Sequence, residues 1–298
     1  MAPTRKARSV SSPQSEKPPQ LRLGDSTITG LFEQPLDGIN LLLGADPEQV
    51  REIGWLTPRY ATETGDLLGH IQAFLVQHQG ITIMVDTCVG NGKSITVVPA
   101  WDNLNTPFLD RLRALGTAPE AVDYVLCTHL HVDHVGWNTV LENGKWVPTF
   151  PKARYLMGRT ELAHWRGNDE GQTQEILADS VQPILDAGLA ELVDMDHRLS
   201  AEIRLIPTPG HTPGHVSVMI ESEGQSAVIT GDMTHHPCQM AHPDWSPPFD
   251  SDQKAGAAMR RRMFAEWADR PILVIGTHYA GPTAGHVKTD GEAFRFDA

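Results

Sequence analysis

The stretch HLHVDH, residues 129–134, packs three histidines and one aspartate into six positions, with only Cys127 and Thr128 between it and the apolar run AVDYVL at 121–126. A short apolar run of this kind reads as a buried strand. Alternate side chains of an extended segment share a face, so His129 and His131 point the same way and can grip one cation. Asp133 and His134 follow where the chain must turn, so they enter the same space from another side and can hold a second. Neutral imidazole and carboxylate suit zinc, and also iron, manganese or cobalt. A single histidine is ordinarily a surface or core residue, but that explanation does not extend to four metal-capable residues at one strand end.

Two cations need more ligands, and other strand ends offer them. LIPTPGHTPGH (205–215) carries His211 and His215, VITGDMTHH (228–236) carries Asp232, His235 and His236, and ILVIGTH (272–278) ends in His278. Each follows an apolar strand-like run, and a layered α/β fold gathers its site at such strand ends. Around these, STITGLF (26–32) and AFLVQHQGITIMVDT (73–87) read as strands, the latter with a hairpin turn at 78–80. ARYLMG (153–158) and EAFRF (292–296) read as further strands. PFLDRLRALG (107–116), RTELAHWRG (159–167), QTQEILADSVQPILDAG (172–188, with Pro183 as an internal breaker) and DQKAGAAMRRRMFAEWADR (252–270) read as helices. Residues 39–69 have mixed character and read as a loop or short helix. Strands flanked by helices in both halves predict sheets packed between helices in one α/β domain.

Composition narrows the functional classes. A formal net charge of -13 repels nucleic-acid phosphates and anionic lipid, so neither is expected as a partner. No apolar run reaches the ~18 residues that span a bilayer. Cys88, Cys127 and Cys238 form no CxxC pair and no disulfide framework, which fits a reducing cytoplasm. Residues 1–20 are basic and rich in Ser and Pro, without the apolar core of a secretory signal. They read as a disordered tail before a domain at 21–298.

With HxHxDH at 129–134, PGHTPGH at 209–215, GD at 231–232 and a strand ending in His278, the chain resembles the metallo-β-lactamase-fold hydrolases. MVDTCVG around Asp86 resembles that family's early Asp-Thr strand end. The resemblance implies a four-layer αββα sandwich with two divalent metal ions, zinc foremost. It gives His129, His131 and His211 to the first ion, Asp133, His134 and His278 to the second, and Asp232 to both. His215 would be structural, and Asp86 would orient a ligand histidine. The implied reaction is attack on an ester or lactone carbonyl by a metal-bridging hydroxide, with Asp133 also shuttling a proton. His131 stands where the oxygen-reducing branch has glutamate, which argues for hydrolysis. None of the seven ligand positions is degenerate, which argues against a non-catalytic binding protein.

The lactonase branch is the most similar in motif style. Acyl-homoserine lactonases usually keep a tyrosine three residues after the bridging aspartate, and here that position is His235. As a second catalytic residue His235 could donate a hydrogen bond or protonate a leaving group. The departure leaves phosphotriester hydrolysis open, and thioester hydrolysis of the glyoxalase II type is a further alternative. His236 and His286 are further pocket candidates, whereas His70, His78, His164, His197 and His242 read as ordinary. Walls are expected from residues 39–68, PAWDNLNTPF (99–108) and HPDWSPPFD (242–250). Trp55, Trp101, Trp245 and Phe249 there predict a small-molecule substrate with an apolar part; alternatively they glue loops to the core or form a homodimer contact.

Overall fold

Two sheets follow one another along the chain in a computed structural model that describes residues 20–36, 41–168 and 172–298. The first has seven strands in the order β1-β2-β3-β4-β5-β8-β9. These are β1 Gln20–Leu23, β2 Ser26–Pro35, β3 His70–His78, β4 Ile81–Val85, β5 Tyr124–Leu126, β8 Arg154–Gly158 and β9 Ala190–Val193; β6 Thr139–Glu142 and β7 Lys145–Pro148 form a separate hairpin. The second runs β10 Ile203–Pro207, β11 Val216–Ser222, β12 Gln225–Ile229, β13 Ile272–Ile275, β14 Ala284–Asp290 and β15 Ala293–Asp297, in that order.

Alternation along the strands produces the layers. Phe74 and Val76 of β3 pack in one buried cluster with Ala227 and Ile229 of β12, filling the space between the sheets. Their neighbours Ala73, Leu75 and Val228 face outward, into the apolar layer that holds helix residues Leu112, Leu162, Ile184 and Phe264. Helices Phe108–Ala114 and Arg159–Arg166 cover the first sheet, and Gln253–Trp267 covers the second. The result is the expected four-layer αββα sandwich.

Strand direction positions the site. β4, β5 and β8 are mutually parallel, so they end on one edge of their sheet. In the second sheet β10 and β12 both run antiparallel to β11, and β13 runs parallel to β12; β10, β12 and β13 therefore also end together. Asp86, the 127–134 segment, His211, Asp232 and His278 follow five of these six ends.

Several expectations need correction. Gln20, which falls within the expected tail, pairs in β1 with Thr29 of β2; residues 1–19 lie outside the described residues, as does Ile39 of the expected pocket wall. His286, read as a pocket candidate, sits on β14 opposite Asp297. The 172–188 helix is not uniform. It runs α over Thr173–Ile176, π over Leu177–Val181 and α again over Gln182–Asp186. Pro183 has no N–H for the Asp179 carbonyl. That carbonyl instead accepts from Thr139 Oγ1 at 2.5 Å and Lys93 Nζ at 3.2 Å.

Candidate active site

β5 stops at Leu126, and residues 127–131 form a loop before the short helix Val132–Val135. The convergence of His129 and His131 is thus a property of the loop rather than of strand alternation. Side chains take its backbone donors: Asp86 accepts from Thr128 N–H at 2.7 Å, and Glu161 accepts from Leu130 N–H at 3.1 Å. The outcome is nevertheless a convergent pair, with His129 Nε2 and His131 Nδ1 2.9 Å apart and His211 Nε2 2.7 Å from the latter.

Two groups of donor atoms assemble. His129, His131, His211 and Asp232 offer ligand atoms within 4.8 Å of one another, and so do Asp133, His134 and His278. Asp232 divides its carboxylate between them. Oδ2 faces His211 Nε2 at 3.3 Å and His129 Nε2 at 3.7 Å, whereas Oδ1 faces His278 Nε2 at 3.1 Å and His134 Nε2 at 3.2 Å. Asp133 Oδ2 lies 3.5 Å from His278 Nε2 and 3.7 Å from His134 Nε2.

The outer ring nitrogens are tied back. His134 Nδ1 reaches Asp86 Oδ2 at 2.9 Å, His211 Nδ1 reaches Asp250 Oδ1 at 2.7 Å, and His278 Nδ1 reaches the His70 carbonyl at 2.8 Å. The Thr128 hydroxyl donates to Asp86 Oδ2 at 2.8 Å and receives His129 Nδ1 at 3.1 Å. This network assigns the proton to Nδ1 in all four rings and turns Nε2 inward, the arrangement a metal-binding imidazole needs. Asp86 thereby backs one histidine of each group.

The electrostatics agree with a cation-binding donor set. Burial, with the neighbouring imidazoles, holds His129 and His131 well below the ordinary histidine range; it does the same to His211 against the pull of Asp232. Burial alone would lower His134 and His278, but Asp232 and the other carboxylates raise both. Burial would raise the Asp232 carboxyl, yet His134, His278 and His235 hold it well below its usual range. His134 Nε2 and Asp232 Oδ1 are buried without a hydrogen-bond partner. The lowered His129, His131 and His211 and the ionised Asp232 are the neutral nitrogens and carboxylate that a divalent cation requires. The raised His134 and His278 show that the carboxylates draw positive charge to the second group, a charge that a bound cation would supply in place of protons.

Three supports were not legible in the sequence. Glu161 is buried and accepts from Leu130 N–H, Trp165 Nε1 (2.7 Å), Thr212 Oγ1 (2.7 Å) and Gly214 N–H (3.0 Å), tying the 129–131 loop to the 211–215 turn. A Cβ on Gly214 would lie 2.3 Å from Glu161 N. Asp250, expected only as wall, backs His211 and has the buried Arg260 3.6 Å away. Thr128 relays Asp86 to His129. Nothing local marks any of the three, since each acts on residues distant in sequence or through a neighbour's ring.

His215 lies outside both groups, as expected. Its Nε2 accepts the Asp232 N–H at 2.8 Å and its Nδ1 faces Thr208, while burial lowers its pKa to about 4. Gly231, at φ +55°, leaves it room, because a Cβ there would sit 2.6 Å from His215 Nε2. His235 approaches Asp232 Oδ2 at 3.0 Å and lines the cavity above the two groups. His236 points away and donates to the Tyr60 carbonyl at 2.8 Å.

The cavity measures about 790 Å³. Asp133, Asp232, His235 and His278 line its floor, and Leu36, Leu41, Val97, Val98, Trp101 and Ile176 give it an apolar wall. Phe249 lines it as expected, and so does His164, which the sequence left as ordinary. Trp55 and Trp245 are not lining residues: Trp55 packs on the core, and Trp245 stacks on His242 at 4.1 Å. The lining includes no lysine or arginine among the described residues.

A family profile described as the metallo-beta-lactamase superfamily matches residues 67–266. An N-acyl homoserine lactonase of Bacillus cereus is 30% identical over 118 residues, 40% of each chain. The chain thus spans well under half of that relative. The N-acyl homoserine lactonase AiiB of Agrobacterium fabrum (strain C58 / ATCC 33970) is 33% identical over 202 residues, 59% of this chain and 67% of that protein. Among solved structures, the hydrolase AbOPH in the beta lactamase superfamily superposes with a TM-score of 0.79 at 27% identity, covering 95% of this chain and 98% of that one. AidC, a dizinc quorum-quenching lactonase, superposes with a TM-score of 0.76 at 22% identity over 93% and 96%, a likeness of fold.

Proposed function

The chain belongs to the metallo-beta-lactamase superfamily, and on that premise we propose that it is a two-metal hydrolase of uncharged carboxylic esters, lactones foremost. The observation that carries this reading is the division of the Asp232 oxygens between the two ligand groups. His129, His131 and His211 would hold one ion, Asp133, His134 and His278 the other, and Asp232 both, with zinc the favoured metal for this donor set. When bound, a divalent pair supplies the charge that makes water nucleophilic and polarises a carbonyl.

The chain's own residues do the rest. Asp133 lines the cavity and can take up a proton there. His235 lines the cavity and neither of its ring nitrogens has a hydrogen-bond partner, so it can donate to a substrate oxygen or leaving group. The apolar wall excludes water and receives the alkyl or aryl part of the substrate. Away from the metal-facing residues, the described lining offers no lysine or arginine to pair with a carboxylate of the substrate's own, which weighs against a glutathione thioester.

One observation favours phosphotriester hydrolysis as a second reading: His235 occupies the position where the resemblance to acyl-homoserine lactonases calls for tyrosine. Three buried free cysteines support a reducing cytoplasmic setting for a single domain. No helix among the described residues is long and apolar enough to cross a membrane. The exposed Val97 and Phe249, both of which line the cavity, support a homodimer contact near its mouth. Metal analysis should find about two equivalents per chain, and chelation should abolish turnover of lactones and aryl esters. Active protein free of metal would overturn the reading, and a preference for phosphotriesters would select the second.

A further inference from the structure

The apolar wall belongs to two segments far apart in the chain. Val97, Val98 and Trp101 sit on the 91–106 loop, and Thr173 and Ile176 sit at the start of the 173–186 helix. The loop is closed at its base by Asn91 and Thr106, whose amide groups exchange hydrogen bonds at 2.7 and 2.9 Å. Its outer part is held by something else. The Gln172 side chain is buried; its Oε1 accepts from Thr96 N–H at 2.6 Å and Val97 N–H at 3.3 Å, and its Nε2 donates to the Ser94 carbonyl. A second tie lies about two turns further along the helix. Lys93 Nζ reaches Thr139 Oγ1 at 2.7 Å and both the carbonyl and the carboxylate of Asp179 at 3.2 Å. Pro183 had freed that carbonyl.

We propose that Gln172 is a specificity-determining latch: it fixes the 94–97 backbone to the helix and so sets how much apolar substrate the cavity accepts. The inference rests on the ester-hydrolase reading and concerns its substrate range. Gln172 itself lines the cavity beside Thr173 and Ile176, but its amide is committed to the 94–97 backbone, so it is a positioning residue that acts through Val97, Val98 and Ile176 and leaves the floor untouched. A polar side chain that spends both ends of its amide on backbone has little left to offer a substrate. What it controls is the spacing of the wall, which contacts the apolar part of a substrate and not the reacting carbonyl.

The test is Gln172→Met, which keeps the length of the side chain and removes its hydrogen bonds, assayed on metal-loaded protein with p-nitrophenyl acetate, butyrate and octanoate. We expect kcat/KM for the octanoate to fall about tenfold through KM, as for a misplaced apolar contact, while the acetate changes less than about twofold. Gln172→Glu keeps the acceptor contacts to Thr96 and Val97, and should fall between the wild type and Gln172→Met. Equal losses on acetate and octanoate, or no loss on either, would overturn the latch. Should the wild type cleave no ester, the hydrolase reading fails on its own, and the latch is then judged by binding. p-Nitrophenyl octanoate should raise the melting temperature of the wild type more than that of Gln172→Met, and equal rises would overturn it.

Discussion

On and beneath the floor of the cavity, His129, His134, His211 and His278 each have a fixed oxygen behind the ring; on the wall, Val97, Val98, Trp101 and Ile176 have apolar side chains with no such anchor, and they are placed by the ties that hold their segments. The floor is over-determined. Asp86 backs both ligand groups, Glu161 spans two loops, and Asp232 has its own N–H tied to His215. The wall depends on Gln172 and the Lys93–Asp179 pair. Fixed donors suit a site that must present the same atoms to every substrate. A wall carried on a few latches can differ between relatives without disturbing the chemistry below it.

The largest effect should come from breaking the floor at its shared point. Asp232→Ala is expected to remove both metal equivalents and all turnover, whereas His215→Ala should keep most of its metal. Equal metal loss in the two, measured by elemental analysis, would mean that the floor is not organised around Asp232.

Next comes His235, which belongs to the floor by position but lies outside both ligand groups. His235→Ala should lower kcat by about 10²-fold, as for loss of a proton donor, with metal content nearly unchanged. Unaltered kinetics would make it a packing residue.

The backing carboxylates should follow, and they separate the two halves of the floor. Asp86→Asn and Asp250→Asn are each expected to weaken metal binding by about 10–100-fold. Asp86→Asn should affect both equivalents in a chelator titration, because it backs His134 directly and His129 through Thr128. Asp250→Asn should affect only the one held by His211. Identical titrations would erase the distinction.

The smallest effect should come from the wall. Ile176→Ala is expected to raise KM for long-chain esters by roughly tenfold while kcat on acetate stays level, the signature of lost ground-state binding. A fall in kcat on every substrate would show the wall and floor to be coupled.

The sandwich was legible because apolar runs of strand length alternate with helical ones, and because each sheet must bury both faces. Some elements were missed. AGHVKTD of β14 and the β6–β7 hairpin carry mixed polar residues, since the burial of their partly exposed faces depends on neighbours rather than on their own pattern. Pro183 marks a break within its helix in the sequence itself, but the π turn before it depends on Lys93 and Thr139 being there to take the Asp179 carbonyl.

By itself the sequence determined which side chains come together as the two donor groups. Each sits within a few residues of a strand end, and a short stretch of chain constrains where its neighbours can point. The tertiary structure alone decided what holds those side chains and what shapes the cavity above them. Asp250 meets His211 across 39 positions, Glu161 meets Gly214 across 53, and Gln172 meets Thr96 across 76. Over such separations local geometry carries no information, and contact is set only when the two sheets and their helices close around a common core.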